Sequence, residues 1–346
     1  MLRDTQTGDT TERASRFALV PALAGAPSEL DSGILTWVES DALAALVAEF
    51  GEAGERIPAG TIGQRLSWLD EFSERWDFRA GKERNLVADS EYSPGTVELV
   101  LAAAEALGLR GSVQPTTQLY DHVLILGGLV RACVARPLHA AHLIANGLVA
   151  RELTALGGYR PLGGNELPLA STLGLAEHCD EFDVMDAGVR KAFSLGEPTS
   201  ERGIHSETVG ASWRVREYAG PAGIPVSVIA APSSEPGVRR ANTPDTYEWF
   251  ASEIAHLSDG QSLLIITTAI YVPFQHANAL RMFALPHNVL VETVGVEPGT
   301  LDERLAQTFM PHQYLQEVRS TIRAFRDLHG ALTTENHGED TTVPIT

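Results

Sequence analysis

Val123-Leu124-Ile125-Leu126-Gly127-Gly128 and Leu153-Thr154-Ala155-Leu156-Gly157-Gly158 decide how this chain is read. Each is a short apolar run closed by a glycine pair, and a helical segment separates the two. Strand, tight turn, crossover helix and second parallel strand make up a βαβ unit, which repeats at roughly thirty residues. Glycine permits positive φ and leaves no Cβ in the way, so an anion can lie against backbone N–H groups where a helix begins. The two turns therefore predict a site for a phosphate, a carboxylate or a nucleotide. Neither pair continues into GxGxxG or into a P-loop lysine with serine or threonine, so the dinucleotide fingerprint is absent.

From Tyr120 onward strands alternate with helices. Apolar runs predict strands over 121–126, 152–156, 225–230, 262–268 and 288–294, and helical periodicity predicts helices over 136–146, 166–178, 182–193, 243–257, 274–284 and 312–328. The nearly continuous run Ser262-Leu263-Leu264-Ile265-Ile266-Thr267-Thr268 suits a parallel sheet covered on both faces, whose ligands gather at the carboxyl ends of the strands. Residues 194–224 break the rhythm with Trp213-Arg214-Val215-Arg216-Glu217-Tyr218 and Gly/Pro turns, and predict an inserted hairpin or flap near the site.

Upstream, Ile34, Leu35, Val38, Leu43, Leu46, Val47 and Phe50 recur at helical spacing, followed by Leu66, Leu69, Phe72 and Trp76, then Val97, Val100, Ala103 and Leu107. Ser93 as N-cap, Pro94 in the first turn and Gly108 past the end punctuate the last of these helices. The expected fold is α/β: a Rossmann-like parallel sheet with helices on both faces over 116–332, preceded by a helical subdomain or lid over 31–115. Residues 1–30 and 333–346 are polar and expected to be loosely ordered.

A chain of 346 residues with 44% hydrophobic content can bury a large core, in one domain or two. Its formal charge of -19 opposes nucleic-acid and anionic-membrane partners, so an anionic ligand must be met by a local basic cluster. The two cysteines, Cys133 and Cys179, have neither CxxC nor zinc-type spacing and read as buried thiols of a reducing cytoplasm, with no metal. No apolar stretch is long enough to cross a bilayer, and the first thirty residues carry no apolar signal region.

The polar groups expected at the strand ends are Gly127, Gly128 and Arg131, Gly157 and Gly158 with Arg160, Asn242 and Thr243, Thr267 and Thr268, then Tyr271, Gln275, His276 and Arg281. Glu166, after Gly163-Gly164-Asn165, reads either as a general base or as a first-turn carboxylate that a helix N-terminus stabilises. His276 reads as an acid or base near neutral pH, or as an ordinary helix histidine. Asn242-Thr243-Pro244-Asp245 is a helix start, which capping explains as well as ligand binding does. Arg79, Lys82 and Arg84 lie in the basic stretch 75–85 and suit a phosphate or carboxylate, or a salt-bridged surface turn.

In this order, the Gly127-Gly128 and Gly157-Gly158 turns, the Glu166 helix start, Asn242-Thr243 and Thr267-Thr268-Ala269-Ile270-Tyr271 resemble the SanA/YdcF-type conserved bacterial domain family (ElyC/SanA/YdcF) over residues 120–295. The resemblance implies a Rossmann-like sheet with a helical lid and a nucleotide or S-adenosylmethionine crevice at the matched positions. Tyr271-Val272 stands where that family has Tyr-His, Gln275 near its arginine, and Leu156 in place of its serine.

The resulting expectation is a cytoplasmic enzyme that binds a nucleotide or nucleoside-containing anion and carries out transfer or hydrolysis on it. Backbone donors, Thr267, Thr268 and arginines would face the developing charge, with Glu166 or His276 moving the proton. The alternatives are a ligand-sensing or scaffold protein without chemistry and an S-adenosylmethionine-dependent methyltransferase. The latter usually has an acidic residue after the second strand, where this chain has Gly157-Gly158-Tyr159.

Overall fold

The computed structural model describes residues 27–78, 92–111, 113–164, 166–175, 180–297 and 299–339. Seven strands, β1 (Leu119–Ile125), β2 (Val149–Leu156), β3 (Ser200–Ile204), β4 (Trp213–Ala219), β5 (Pro225–Ala230), β6 (Ser262–Thr268) and β7 (Leu290–Val296), form one sheet in the order β3-β4-β5-β2-β1-β6-β7. β5, β2, β1, β6 and β7 are mutually parallel, as expected. The insertion over 194–224 does contain a hairpin, but β3 and β4 extend the sheet antiparallel to β5, so the sheet is mixed rather than wholly parallel.

Counted along the chain, the parallel strands lie in the order third, second, first, fourth, fifth. The winding therefore reverses between β1 and β6, and loops leaving the carboxyl ends of those two strands diverge to open a crevice. Helices α5 (Val130–Ala145) and α7 (Glu181–Phe193) cover one face, over a core that includes Val123, Ile125, Leu153, Val228, Leu264 and Ile266. On the other face lie α8 (Thr243–Trp249), α9 (Val272–Ala279), α10 (Leu285–His287) and α11 (Pro311–Glu339), against Leu124, Leu263, Ile265 and Val291. The short α6 (Glu166–Thr172) rests beside α5.

The α5 helix begins at Val130, six residues before the expected start, and runs through Pro137. Proline lacks the N–H that would reach the carbonyl of Cys133. Gly188 of α7 packs against that same carbonyl, so closely that a Cβ on Gly188 would fall 2.1 Å from it. The missing Pro137 donor and the missing Gly188 side chain lie at the same point of the close approach of α5 and α7. Burial also pushes the Cys133 thiol well above its usual pKa.

The N-terminal helices α1 (Pro27–Val38), α2 (Asp41–Phe50), α3 (Ile62–Phe72) and α4 (Pro94–Ala106) are each started by local chemistry where a cap is seen. Ser40 caps α2, Thr61 and Gln64 form a capping box on α3, and Ser93 caps α4. Their apolar faces share one core with α11 and the sheet: Trp37 meets the Phe325 ring edge-on at 5.2 Å, and Leu66, Leu69, Val100, Leu315 and Leu328 are buried with them. Asp70 of α3 receives Arg326, and Asp31 of α1 lies 2.7 Å from Nδ1 of His329, so polar contacts fix the register of α11 on these helices.

Candidate functional site

A cleft of about 1200 Å³ opens at the carboxyl ends of β1, β2 and β6, on the rim where the winding reverses. Both glycine turns line it, together with Arg131, Glu166, Asn242, Thr243, Thr268, Tyr271 and Gln275, so segments far apart in sequence meet at one place. Thr267, which alternates with Thr268 along β6, is wholly buried, and its hydroxyl has no hydrogen-bond partner among the described residues. His276 is buried on α9 with Nδ1 3.1 Å from the Thr293 hydroxyl of β7, and it does not line the cleft. Arg281 also lies outside the lining. Arg79, Lys82 and Arg84 fall outside the described residues.

None of the four glycines has positive φ, and close packing requires the first of each pair, Gly127 and Gly157. A Cβ on Gly127 would lie 2.4 Å from a Glu181 carboxylate oxygen and 2.5 Å from the Leu156 carbonyl. One on Gly157 would lie 2.7 Å from the Cα of Phe182. Gly128 is less crowded, and around Gly158 there is open space. The first member of each pair thus lets two loops pack, and Gly158 leaves bare backbone facing the cleft.

Among the described residues five arginines, Arg131, Arg136, Arg160, Arg239 and Arg240, line the cleft with two carboxylates, Glu166 and Glu181. In a chain of net charge -19 this is a local reversal of sign. Arg136, 3% exposed, donates to the Leu126 carbonyl at 2.8 Å, to the Gly127 carbonyl, and through Nε and Nη2 to the Thr268 hydroxyl at 3.2 and 3.0 Å. It therefore ties the end of β1 to the end of β6 across the reversal point. Arg131, five residues earlier on α5, donates to the carbonyls of Ala306 and Arg304 at 2.6 and 3.3 Å.

Arg160 holds both cleft carboxylates. Its Nη1 and Nη2 reach the two oxygens of Glu166 at 2.7 and 3.0 Å, and its Nε reaches Glu181 at 3.0 Å. Burial opposes the charge of Arg160, but the hydrogen bond to Glu166 and the fields of both carboxylates outweigh it and raise its pKa. Burial raises the pKa of Glu181 in turn, against the pull of Arg160. Glu166 also accepts from the Val130 N–H at 3.1 Å, which makes it the side-chain cap that α5 otherwise lacks.

The far wall is built by two loops that pack on each other. The N–H of Ser233 donates to the Gly210 carbonyl at 2.7 Å and that of Gly237 to the Val209 carbonyl at 2.7 Å, while Gly210 takes φ +74° against the Arg239 backbone. Asp245 accepts from Arg239, from the Ser234 hydroxyl at 2.6 Å and from the Asn242 N–H at 2.9 Å, so the expected helix start at Asn242 also anchors a cleft arginine. Burial works against the ionised Asp245, but these donors together hold its carboxyl far below the usual range. Tyr247, Tyr271, Phe274 and Phe309 give the cleft an aromatic side.

Sequence reasoning missed Arg136, Glu181, Arg239, Arg240, Tyr247 and Phe309 as lining residues, and it named Arg160 only as a neighbour of the second turn. A lone arginine carries no periodic signal. The sign that was legible is its rarity: 26 basic residues against 45 acidic ones make arginines close behind two strand ends worth notice. Among the described residues there is no cluster of three or more His, Cys, Asp or Glu side chains able to hold a metal, and no helix is long and apolar enough to cross a membrane.

The model of the Rv3785 N-terminal domain family matches residues 22–108, the region of α1 to α4. Over 340 residues the chain is 30% identical to the uncharacterized protein Rv3785 of Mycobacterium tuberculosis (strain H37Rv), which covers 89% of this chain and 90% of that one. The uncharacterized protein Mb3814 of Mycobacterium bovis matches with the same identity and coverage. No solved structure matches the chain significantly. These findings overturn the resemblance to the SanA/YdcF-type domains, whose short motifs are strand-end glycines and helix caps that a parallel sheet of any ancestry requires. With this identity sustained across most of both sequences, the chain belongs to the Rv3785 family.

Proposed function

We propose that this protein binds a nucleotide-like anionic small molecule in the cleft at the carboxyl ends of β1, β2 and β6. The carrying observation is the arginine excess there, five against two carboxylates, within a strongly acidic chain. Arginine forks match phosphate and carboxylate oxygens two at a time, and the partly exposed rings of Tyr271 and Phe274 in the lining suit a planar group. The volume supports a ligand of nucleotide size rather than a lone ion.

Transfer or hydrolysis on that molecule is the reaction class these donors favour, because fixed cations beside developing negative charge stabilise a phosphoryl or acyl transition state. Glu166 is then the proton-handling group. A sensor that binds without chemistry is the second reading, favoured by one observation: both Glu166 oxygens are engaged by Arg160. A cytoplasmic location accompanies the proposal, supported by the free thiol of Cys133.

A thermal-shift screen against nucleotides, S-adenosylmethionine and sugar phosphates tests the binding. A ligand at a hundred times its dissociation constant adds about 2.7 kcal/mol of stability, which such a screen registers readily. Stabilisation by a phosphorylated nucleoside that disappears in Arg136→Ala supports the reading. Absence of any shift across the panel refutes it.

A further inference from the structure

We infer that the Glu166 carboxylate occupies the cleft's own oxoanion subsite, and that an anionic group of the ligand takes its place by displacing it. This deepens the proposed function and rests on it.

Donors from two separate segments, the start of α5 and the loop 160–163, converge on this one carboxylate. They are the Val130 N–H at the start of α5, the Gly163 N–H at 3.4 Å, and the two outer nitrogens of Arg160. Such a set, a bidentate guanidinium with main-chain N–H groups, fits a phosphate as well as a carboxylate. The subsite faces the cleft beside Gly128, Gly158, Arg131 and Arg136. A phosphate brings a third oxygen and up to a second charge, so it outcompetes a carboxylate for the same cations. Both cannot stay, because two like charges would share one guanidinium edge.

The surroundings permit the exchange. Glu181 holds Nε of Arg160, and the Gly128 carbonyl accepts from Nη2 at 3.1 Å, so the guanidinium stays in position when Glu166 leaves. Gly163 and Gly164, just before α6, have nothing within 4 Å of where a Cβ would be, and Gly164 takes φ +53°. Glu166 thus has an uncrowded backbone on which to withdraw. In the absence of ligand its carboxylate caps the α5 start and engages the outer edge of the Arg160 guanidinium, while Glu181 holds Nε.

Isothermal titration of the full chain with inorganic pyrophosphate and with ATP, for the wild type and for Glu166→Gln, tests this. Glutamine keeps the size, but it carries no competing charge and offers one acceptor oxygen where the carboxylate offers two. The expected result is an affinity about tenfold higher in the variant, because the ligand no longer has to expel an anion. Hydrogen exchange on the wild type provides a reading independent of the variant's folding. Peptides covering Glu166–Thr172 should gain exchange when pyrophosphate is added, since α6 loses the anchor at its first residue. Equal or weaker binding by Glu166→Gln, or unchanged exchange in α6 at saturation, overturns the displacement while leaving the cleft a binding site. If neither protein binds either probe, both this inference and the proposed function fall.

Discussion

Gly157→Ala and Gly158→Ala are adjacent, chemically identical changes that should differ sharply in cost. At Gly157 the new methyl would stand 2.7 Å from the Cα of Phe182 and 3.4 Å from its nitrogen. That neighbour is backbone, held in place by the Phe182 N–H bond to the Gly158 carbonyl at 3.0 Å, so the start of α7 has to move by several tenths of an ångström. Overpacking of this kind costs about 1–3 kcal/mol, and a main-chain obstacle puts Gly157→Ala in the upper half of that range. At Gly158 the methyl meets nothing within 4 Å, and the backbone lies outside the left-handed region. The loss of unfolded-chain freedom should then leave stability unchanged or raise it by up to about 1 kcal/mol. Urea denaturation followed by far-UV circular dichroism measures both, with the midpoint falling at constant slope for Gly157→Ala alone. Gly158→Ala should instead weaken the binding of any anion that rests on the turn. Equal destabilisation by the two changes would refute the assignment of one glycine to packing and the other to the cleft.

Three further outcomes are expected. Arg136→Lys should lose about 2–3 kcal/mol in the same urea assay, because an ammonium cannot serve the Thr268 hydroxyl and two carbonyls together and leaves at least one buried acceptor unmet. His139 is held by burial, and secondarily by His142, at a pKa of about 4 against 6.5 when exposed. The unfolded chain therefore takes up this proton first as pH falls. Stability is full above about pH 6.5 and declines towards pH 4, by on the order of 2–3 kcal/mol. Thermal melts across that range should show the slope, and His139→Leu should flatten it. In a Cys179→Ser background, which leaves Cys133 as the single thiol, a thiol-reactive disulfide reagent should find nothing to modify at pH 8 until denaturant is added.

The central strands were legible because a strand buried on both faces has no polar alternation to obscure it, as in Leu263 to Ile266. β3 was not legible as part of the sheet: all five of its residues are exposed, and only pairing with β4 makes it a strand. The start of α5 was misplaced because Pro137 imitates a first-turn proline, whereas the true start is capped from a distance by Glu166, thirty-six residues away. The convergence of the two glycine turns followed from the parallel topology alone. The reason for the glycines did not, since nothing near Gly157 in sequence reveals that Phe182 will lie against it. His276 shows the same limit in reverse: its residue type suits proton transfer, but it lies outside the cleft lining, with Nδ1 beside a threonine of β7.

The clasp of α11 on the N-terminal helices has a bearing on how the chain is made. α3 and α4 leave the ribosome about two hundred residues before the helix that covers them. Through the synthesis of the intervening sheet Leu66, Leu69 and Val100 are without their α11 neighbours. The stretch matched as the family's N-terminal domain therefore reaches its mature packing only when α11 arrives to complete it.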